Sequence, residues 1–248
     1  MRRHVWLLLL VIMVASGCAG AKTKKEQADK VRSLGEAFLV EEKYPLAFRE
    51  FEKAKALNPK DPLLYYDYGI LYHKRRDLNM AIEAYKKAIA LKPDFATAIN
   101  NLGVLYMEKE EWDKAIVTLT PISESFIYAT PHFPNFLLGQ AYYHKKEYAK
   151  AVEKFQKALD LQPDYVFAGH WLGKTYMAMG QAPRAVKALE SAVEKAPGVA
   201  IFHLDLGRAY RMAGNMKNAE AAFSQAASLA TDEALKKEAL RERASVRG

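Results

Sequence analysis

A single cysteine, Cys18, is present among the 248 residues. That excludes an intrachain disulfide and any zinc site built from cysteine alone within one chain. Glycine and proline number only 13 and 10, the usage of an ordered globular chain rather than a flexible or collagen-like one. A membrane-spanning helix needs roughly 20 apolar residues; the run Val5–Val14 has ten. Blocks of one charge sign are missing too. The formal charge is +8, or +6 without Arg2 and Arg3, but bases and acids are interleaved, as where Lys109 sits among Glu108, Glu110 and Glu111. Nucleic acid wants a clustered basic face, so no nucleic-acid partner is expected.

Catalytic signals are equally thin. None of the six histidines belongs to a His-Glu-x-x-His pair or another local ligand cluster, so no metal site is expected. No nucleophile motif is recognisable among the serines. Ala168-Gly169-His170-Trp171-Leu172-Gly173-Lys174-Thr175 fits a relaxed phosphate-loop pattern. A phosphate loop must follow a strand and open a helix, whereas the periodicity places Gly173 inside a helix. The expectation is no enzyme and no cofactor.

What is present begins at the first residues. Arg2 and Arg3, the apolar run, and the small residues Ala15, Ser16 and Gly17 form the n-region, h-region and cleavage site of a signal peptide over residues 1–17. Ala15-Ser16-Gly17-Cys18 resembles the bacterial lipobox, with Ala15 where the family usually has Leu. The resemblance implies lipidation at Cys18, attachment to the membrane through that lipid, and a linker over 18–27. Ala19 stands where Asp would otherwise follow the cysteine, which by similarity to enteric lipoproteins implies the outer membrane, facing the periplasm.

The dominant feature is a period of 34 residues. Leu34, Gly35, Phe38, Ala47, Phe51, Ala54 and Pro59 recur as Tyr68, Gly69, Tyr72, Ala81, Tyr85, Ala88 and Pro93. They recur again as Leu138, Gly139, Tyr142, Ala151, Phe155, Ala158 and Pro163, and as Leu172, Gly173, Tyr176, Ala185, Leu189, Ala192 and Pro197. Period and anchors resemble the tetratricopeptide repeat, a helix-turn-helix unit. Small residues let antiparallel helices approach, larger apolar ones fill the space between them, and proline ends the second helix. The expected fold is all-α: a tetratricopeptide superhelix of six units (28–61, 62–95, 96–131, 132–165, 166–199 and 200–233) with a capping helix and tail over 234–248.

The third unit departs from the pattern. It opens with Asn100-Asn101-Leu102-Gly103, but Pro121 falls inside its second helix and the following unit is displaced by two residues. The aromatic and proline-rich stretch 126–134 then reads either as a local repair packed on the array or as a partner contact. Lipobox, short linker, six units and a broken third unit together resemble the type IV pilus biogenesis lipoproteins, the pilotins. That resemblance implies a protein partner, a secretin subunit or another pilus-assembly component, whose localisation or assembly the chain aids. The alternative is a periplasmic adaptor for cell-wall hydrolases or proteases.

In such a repeat the first helix of each pair lines a groove, and helical periodicity turns the second, fifth, ninth and twelfth residues of each unit toward it. The partner-binding groove is thereby assigned to Tyr66, His73, Asn100, Met107, Phe136, Gln140, Tyr143, His170, Lys174, Arg208 and Arg211. Its middle is apolar and aromatic and its far end basic, suited to an amphipathic helix or an extended peptide with acidic groups at one end.

Overall fold

The structure, a computed structural model, describes residues 23–124 and 130–246. Among these, all regular structure is helical. Helix α1 spans 23–40. It pairs in sequence with α2 (Tyr44–Leu57), followed by α3 (Pro62–Lys74) with α4 (Leu78–Leu91) and α5 (Ala96–Glu108) with α6 (Trp112–Ser123). Then come α7 (His132–His144) with α8 (Tyr148–Leu161), α9 (Val166–Ala178) with α10 (Ala182–Lys195), α11 (Ala200–Met212) with α12 (Met216–Leu229), and α13 (Glu233–Ala244). Six pairs and a cap are what the period requires. Helix α1 is already formed at residue 23, five residues ahead of the first unit's expected boundary, and Cys18 with the signal segment lies outside the described residues.

Local chemistry sets both ends of each pair. The fifteenth residue of every unit is left-handed: Glu42, Arg76, Glu110, Lys146, Gly180 and Gly214 have φ between 56° and 77°. The next N–H then reaches back to a carbonyl of the first helix, as Lys43 does to Phe38 at 2.8 Å and Asp77 to Tyr72 at 2.9 Å, closing the helix end. At the other end Asn58, Lys92, Gln162 and Ala196 are turned out of helical geometry, with φ near −140°. Each precedes a proline, whose ring disfavours the helical conformation of the residue before it.

The anchors pack as their types demand. Ala47, Ala81, Ala115, Ala151, Ala185 and Ala219, one per unit, are all 0 % exposed. A Cβ added at Gly35, Gly69, Gly139 or Gly207 would sit under 3.0 Å from the ring of Phe51, Tyr85, Phe155 or Phe223 respectively, and at Gly173 equally close to Leu189. Glycine at this position is therefore the space in which the opposing side chain lies.

The chain divides into two compact units that meet within α5, one ending at Leu105 and the other starting at Tyr106. In the first, Leu39, Ala47, Phe51, Leu64, Tyr68 and Leu71 form the core. At its side the Arg32 guanidinium, in α1, faces Asp61 at 3.3 Å, Asp67 at 3.0 Å, and Glu36. In the second, helix α6 ends at Ser123, two residues after Pro121. Fully buried Asn135 ties that end to α7, its Nδ2 donating to the Ser123 carbonyl at 3.0 Å and to the Pro131 carbonyl at 2.8 Å. Residues 130–134 of the aromatic stretch lead into and begin α7: Pro134 is buried and His132 sets its ring edge against Tyr165 at 5.1 Å. That described part is packed on its neighbours; residues 126–129 lie outside the described residues. Helix α13 starts with Asp232 accepting the Leu235 N–H at 2.9 Å and closes the far end through buried Ala239.

Candidate protein-interaction surface

Position five, assigned to the groove, turns out to face the next unit instead in the first, second and fifth units. Arg32 meets Asp67, Tyr66 accepts from Asn101 Nδ2 at 3.4 Å, and His170 Nε2 lies 2.8 Å from an Asp205 carboxylate oxygen. Each of these pairs joins residue i to i+35, position five to position six of the following unit. His170 is 6 % exposed and stacks on Phe202 at 4.4 Å, so it cannot present its ring to a partner. Phe136, 8 % exposed, is sealed by the Tyr165 ring edge at 5.1 Å. Asn100 is buried to the same degree, and its Oδ1 has no hydrogen-bond partner among the described residues. These three groove assignments are corrected, because all three side chains are buried in the array.

The basic end is corrected too. Arg208 donates to Asp205 at 2.9 Å and to Glu242 at 3.2 Å, and also to Glu238. Arg211 pairs with Glu242 and reaches Ser245 at 3.1 Å. The capping helix has taken these cations as its own attachment. Burial alone would push the Asp205 carboxyl up, but His170 and Arg208 outweigh it and hold it below the ordinary range.

Positions nine and twelve remain open. His73 is half-buried in the first compact unit, as is Tyr66 at position five; Met107, Gln140, Tyr143 and Lys174 are half-buried in the second. In the second unit Tyr143 and Lys174 belong to an aromatic cluster that the position count did not find. Trp112 lies flat on His144, centroids 4.4 Å apart and 5° from parallel. Trp171 takes the Tyr143 edge at 5.3 Å and lies 4.2 Å below the Lys174 ammonium, an attractive cation–π placement. Two of the three tryptophans of the chain thus meet here at positions the repeat pattern leaves unspecified; that non-consensus tryptophan usage was the available signal. Burial, and then Lys174, hold the His144 imidazole below its ordinary pKa. Replacing Lys174 with Met should raise the His144 pKa toward its ordinary range, checked by NMR titration of the imidazole.

The phosphate-loop look-alike lies wholly inside α9. Its backbone N–H groups are engaged by the helix, Thr175 is buried and donates to the Trp171 carbonyl at 2.7 Å, and Gly173 accommodates Leu189. No phosphate cradle exists there. Among the described residues no group of three His, Cys, Asp or Glu side chains is placed to hold a metal, and no helix is long and apolar enough to cross a membrane.

The surface is therefore a series of helix faces carrying half-buried aromatics and single polar groups. Tetratricopeptide repeat sequences match residues 172–234, and TPR repeat sequences match 72–110 and 139–180, together more than half of the chain. The chain is a tetratricopeptide-repeat protein. Proteins of this repeat are protein-binding scaffolds, in which stacked helices hold up contact side chains rather than converge reactive ones. No relative is found among curated proteins by sequence. Among solved structures, this tetratricopeptide chain is similar to PilW, described as a widely conserved type IV pilus biogenesis factor, with TM-score 0.72, 20 % identity, and coverage of 89 % of this chain and 98 % of that one. PilF of Pseudomonas aeruginosa gives 0.73 and 20 %, covering 88 % and 99 %. MamA is 27 % identical at TM-score 0.62 over 68 % of this chain and 91 % of its own.

Proposed function

We propose that this chain is a lipid-anchored scaffold of the bacterial outer membrane, facing the periplasm, that acts in type IV pilus biogenesis by aiding localisation or assembly of a secretin. The observation that carries the reading is co-extension: the array matches PilW and PilF over nearly their whole lengths, where MamA matches only two thirds of this chain. The lipobox-like Ala15-Ser16-Gly17-Cys18 supports anchoring independently. With α1 already formed at residue 23, few residues separate Cys18 from the array, and at roughly 3.3–3.6 Å per residue they would hold it within about 20 Å of the lipid. A partner at the membrane surface suits such a tether.

Deleting the gene should abolish or strongly reduce heat-resistant secretin multimers and pilus-dependent motility. Wild-type chain should restore both. Cys18→Ser should move the protein to the soluble periplasmic fraction and fail to restore multimers at native expression. Normal multimers and motility in the deletion strain would remove the reading, and recovery of cell-wall hydrolases by crosslinking from Gln140 and Tyr143 would favour the adaptor alternative.

A further inference from the structure

On the side of the second compact unit away from the aromatic cluster, a cleft opens between α8 and α10 with α9 as its floor. It has a volume of about 420 Å³, within the roughly 300–1,000 Å³ usual for ligand pockets. Leu159, Val166, Leu172 and Ala188 contribute carbon surface to its floor and walls.

The cleft has an identifiable origin in the repeat. Position four of the six units holds Val31, Tyr65, Ile99, Asn135, Gly169 and His203. Five units place a side chain there; the fifth places none. A methyl group at residue 169 would meet only Ala192 Cβ at 3.7 Å and the Ala188 carbonyl at 3.9 Å, ordinary contacts, so close packing does not impose this glycine as it imposes Gly173. What Gly169 does is leave open a space that a side chain fills elsewhere.

A second departure follows from the first. Tyr65 donates its hydroxyl to the Pro59 carbonyl at 3.0 Å, and His203 Nε2 lies 2.8 Å from the Pro197 carbonyl, so in the second and sixth units position four engages the carbonyl of the proline ending the preceding unit. Gly169 cannot do so for Pro163. The Pro163 carbonyl is taken instead by Lys195, which comes from α10 and also lies 3.6 Å from exposed Asp164. A cation is thereby fixed at the cleft margin. Arg184 is fixed there too, bonded to the Tyr176 hydroxyl at 3.0 Å and stacked on its ring at 4.3 Å. Lys187 is the third cation, and among the described residues no ion pair engages it. Every charged side chain lining the cleft is positive, while Ser191 and Gln156 supply neutral polar groups.

From the vacated side-chain position and this one-signed rim, we infer that the cleft is a docking site for a partner-protein segment that inserts an apolar side chain over Gly169 and sets flanking carboxylates against Arg184, Lys187 and Lys195. The depth added by a missing side chain suits one anchoring residue, the arrangement of a hot spot with a polar rim. This site includes none of the residues assigned to the groove and does not depend on the pilus reading.

The test uses the full chain and a short fluorescein-labelled peptide of alternating leucine and glutamate, followed by fluorescence anisotropy. The peptide should bind, while versions with serine for leucine or lysine for glutamate should bind at least tenfold more weakly. Gly169→Tyr, which installs the residue of the second unit, should weaken binding at least tenfold with an unchanged helical circular-dichroism spectrum. Lys187→Glu, at an exposed position, should weaken it several-fold and serves if the tyrosine variant does not fold. Binding that survives both variants, equal binding of the lysine peptide, no binding of any peptide, or displacement by laurate with no peptide discrimination would each overturn the assignment.

Discussion

Phe155→Ala should lower unfolding stability by about 3–5 kcal/mol, the usual cost of removing a buried aromatic ring from a packed core. The residue is fully buried and lies 6.0 Å from Phe136 of its own repeat and 6.2 Å from Trp171 of the next, so its ring joins two successive repeats. Gly139→Ala should also destabilise, by roughly 1–3 kcal/mol, because the added methyl must displace a packed neighbour. The two effects should not add. The three atoms nearest to a Cβ at 139 all belong to Phe155, so once that ring is gone the methyl enters part of its space. In the Phe155→Ala background the second substitution should cost less than about 1 kcal/mol, a coupling characteristic of side chains in contact. Urea unfolding of the four proteins, fitted with nearest-neighbour terms because repeats stack one-dimensionally, measures it. Additive costs would show that something other than the ring confines residue 139.

That cycle rests on the part of the fold most legible in sequence. Glycine, alanine, aromatic and proline anchors are each required by a local contact, so their recurrence located helices, turns and core together. The groove was less legible because periodicity fixes a side chain's direction but not its neighbour. Position five points toward the groove side of α9, yet His170 meets Asp205 there because successive units overlap by one residue beyond the period. The signal existed as complementary pairs 35 apart, Arg32 with Asp67 and His170 with Asp205. Arg208 and Arg211 read as a basic end only until α13 folds over them. The Trp112–His144 stack was illegible for a further reason: it joins the start of α6 to the end of α7, two places where the repeat tolerates any residue. Gly169 shows the converse, an absence at position four that becomes visible only when all six units are compared.

The stability difference between the wild-type chain and Asp67→Asn should depend on pH, in the sense opposite to that of an ordinary salt bridge. Three carboxylates, Glu36, Asp61 and Asp67, surround the single Arg32 guanidinium. One positive charge does not fully compensate three negative ones, and Asp67, with 6 % of its side chain exposed, is the most deeply placed. Burial pushes its carboxyl up to about 7, with Arg32 opposing and Glu36 reinforcing the shift. The unfolded chain releases this proton near pH 4, whereas the folded chain keeps it until about pH 7. Between those limits the unfolded state binds fewer protons, so stability from this group is complete at low pH and is lost as pH rises through the window. At roughly 1.4 kcal/mol per unit, wild type should lose on the order of 2–4 kcal/mol relative to Asp67→Asn between pH 4 and pH 7.5. Asparagine retains an oxygen to accept from Arg32 but has no proton to release, so its own contribution stays flat. Urea titrations of both proteins across that range provide the comparison. A wild-type advantage that grows with pH would mean that Arg32 holds Asp67 ionised throughout and that Asp67 is a simple ion-pair partner.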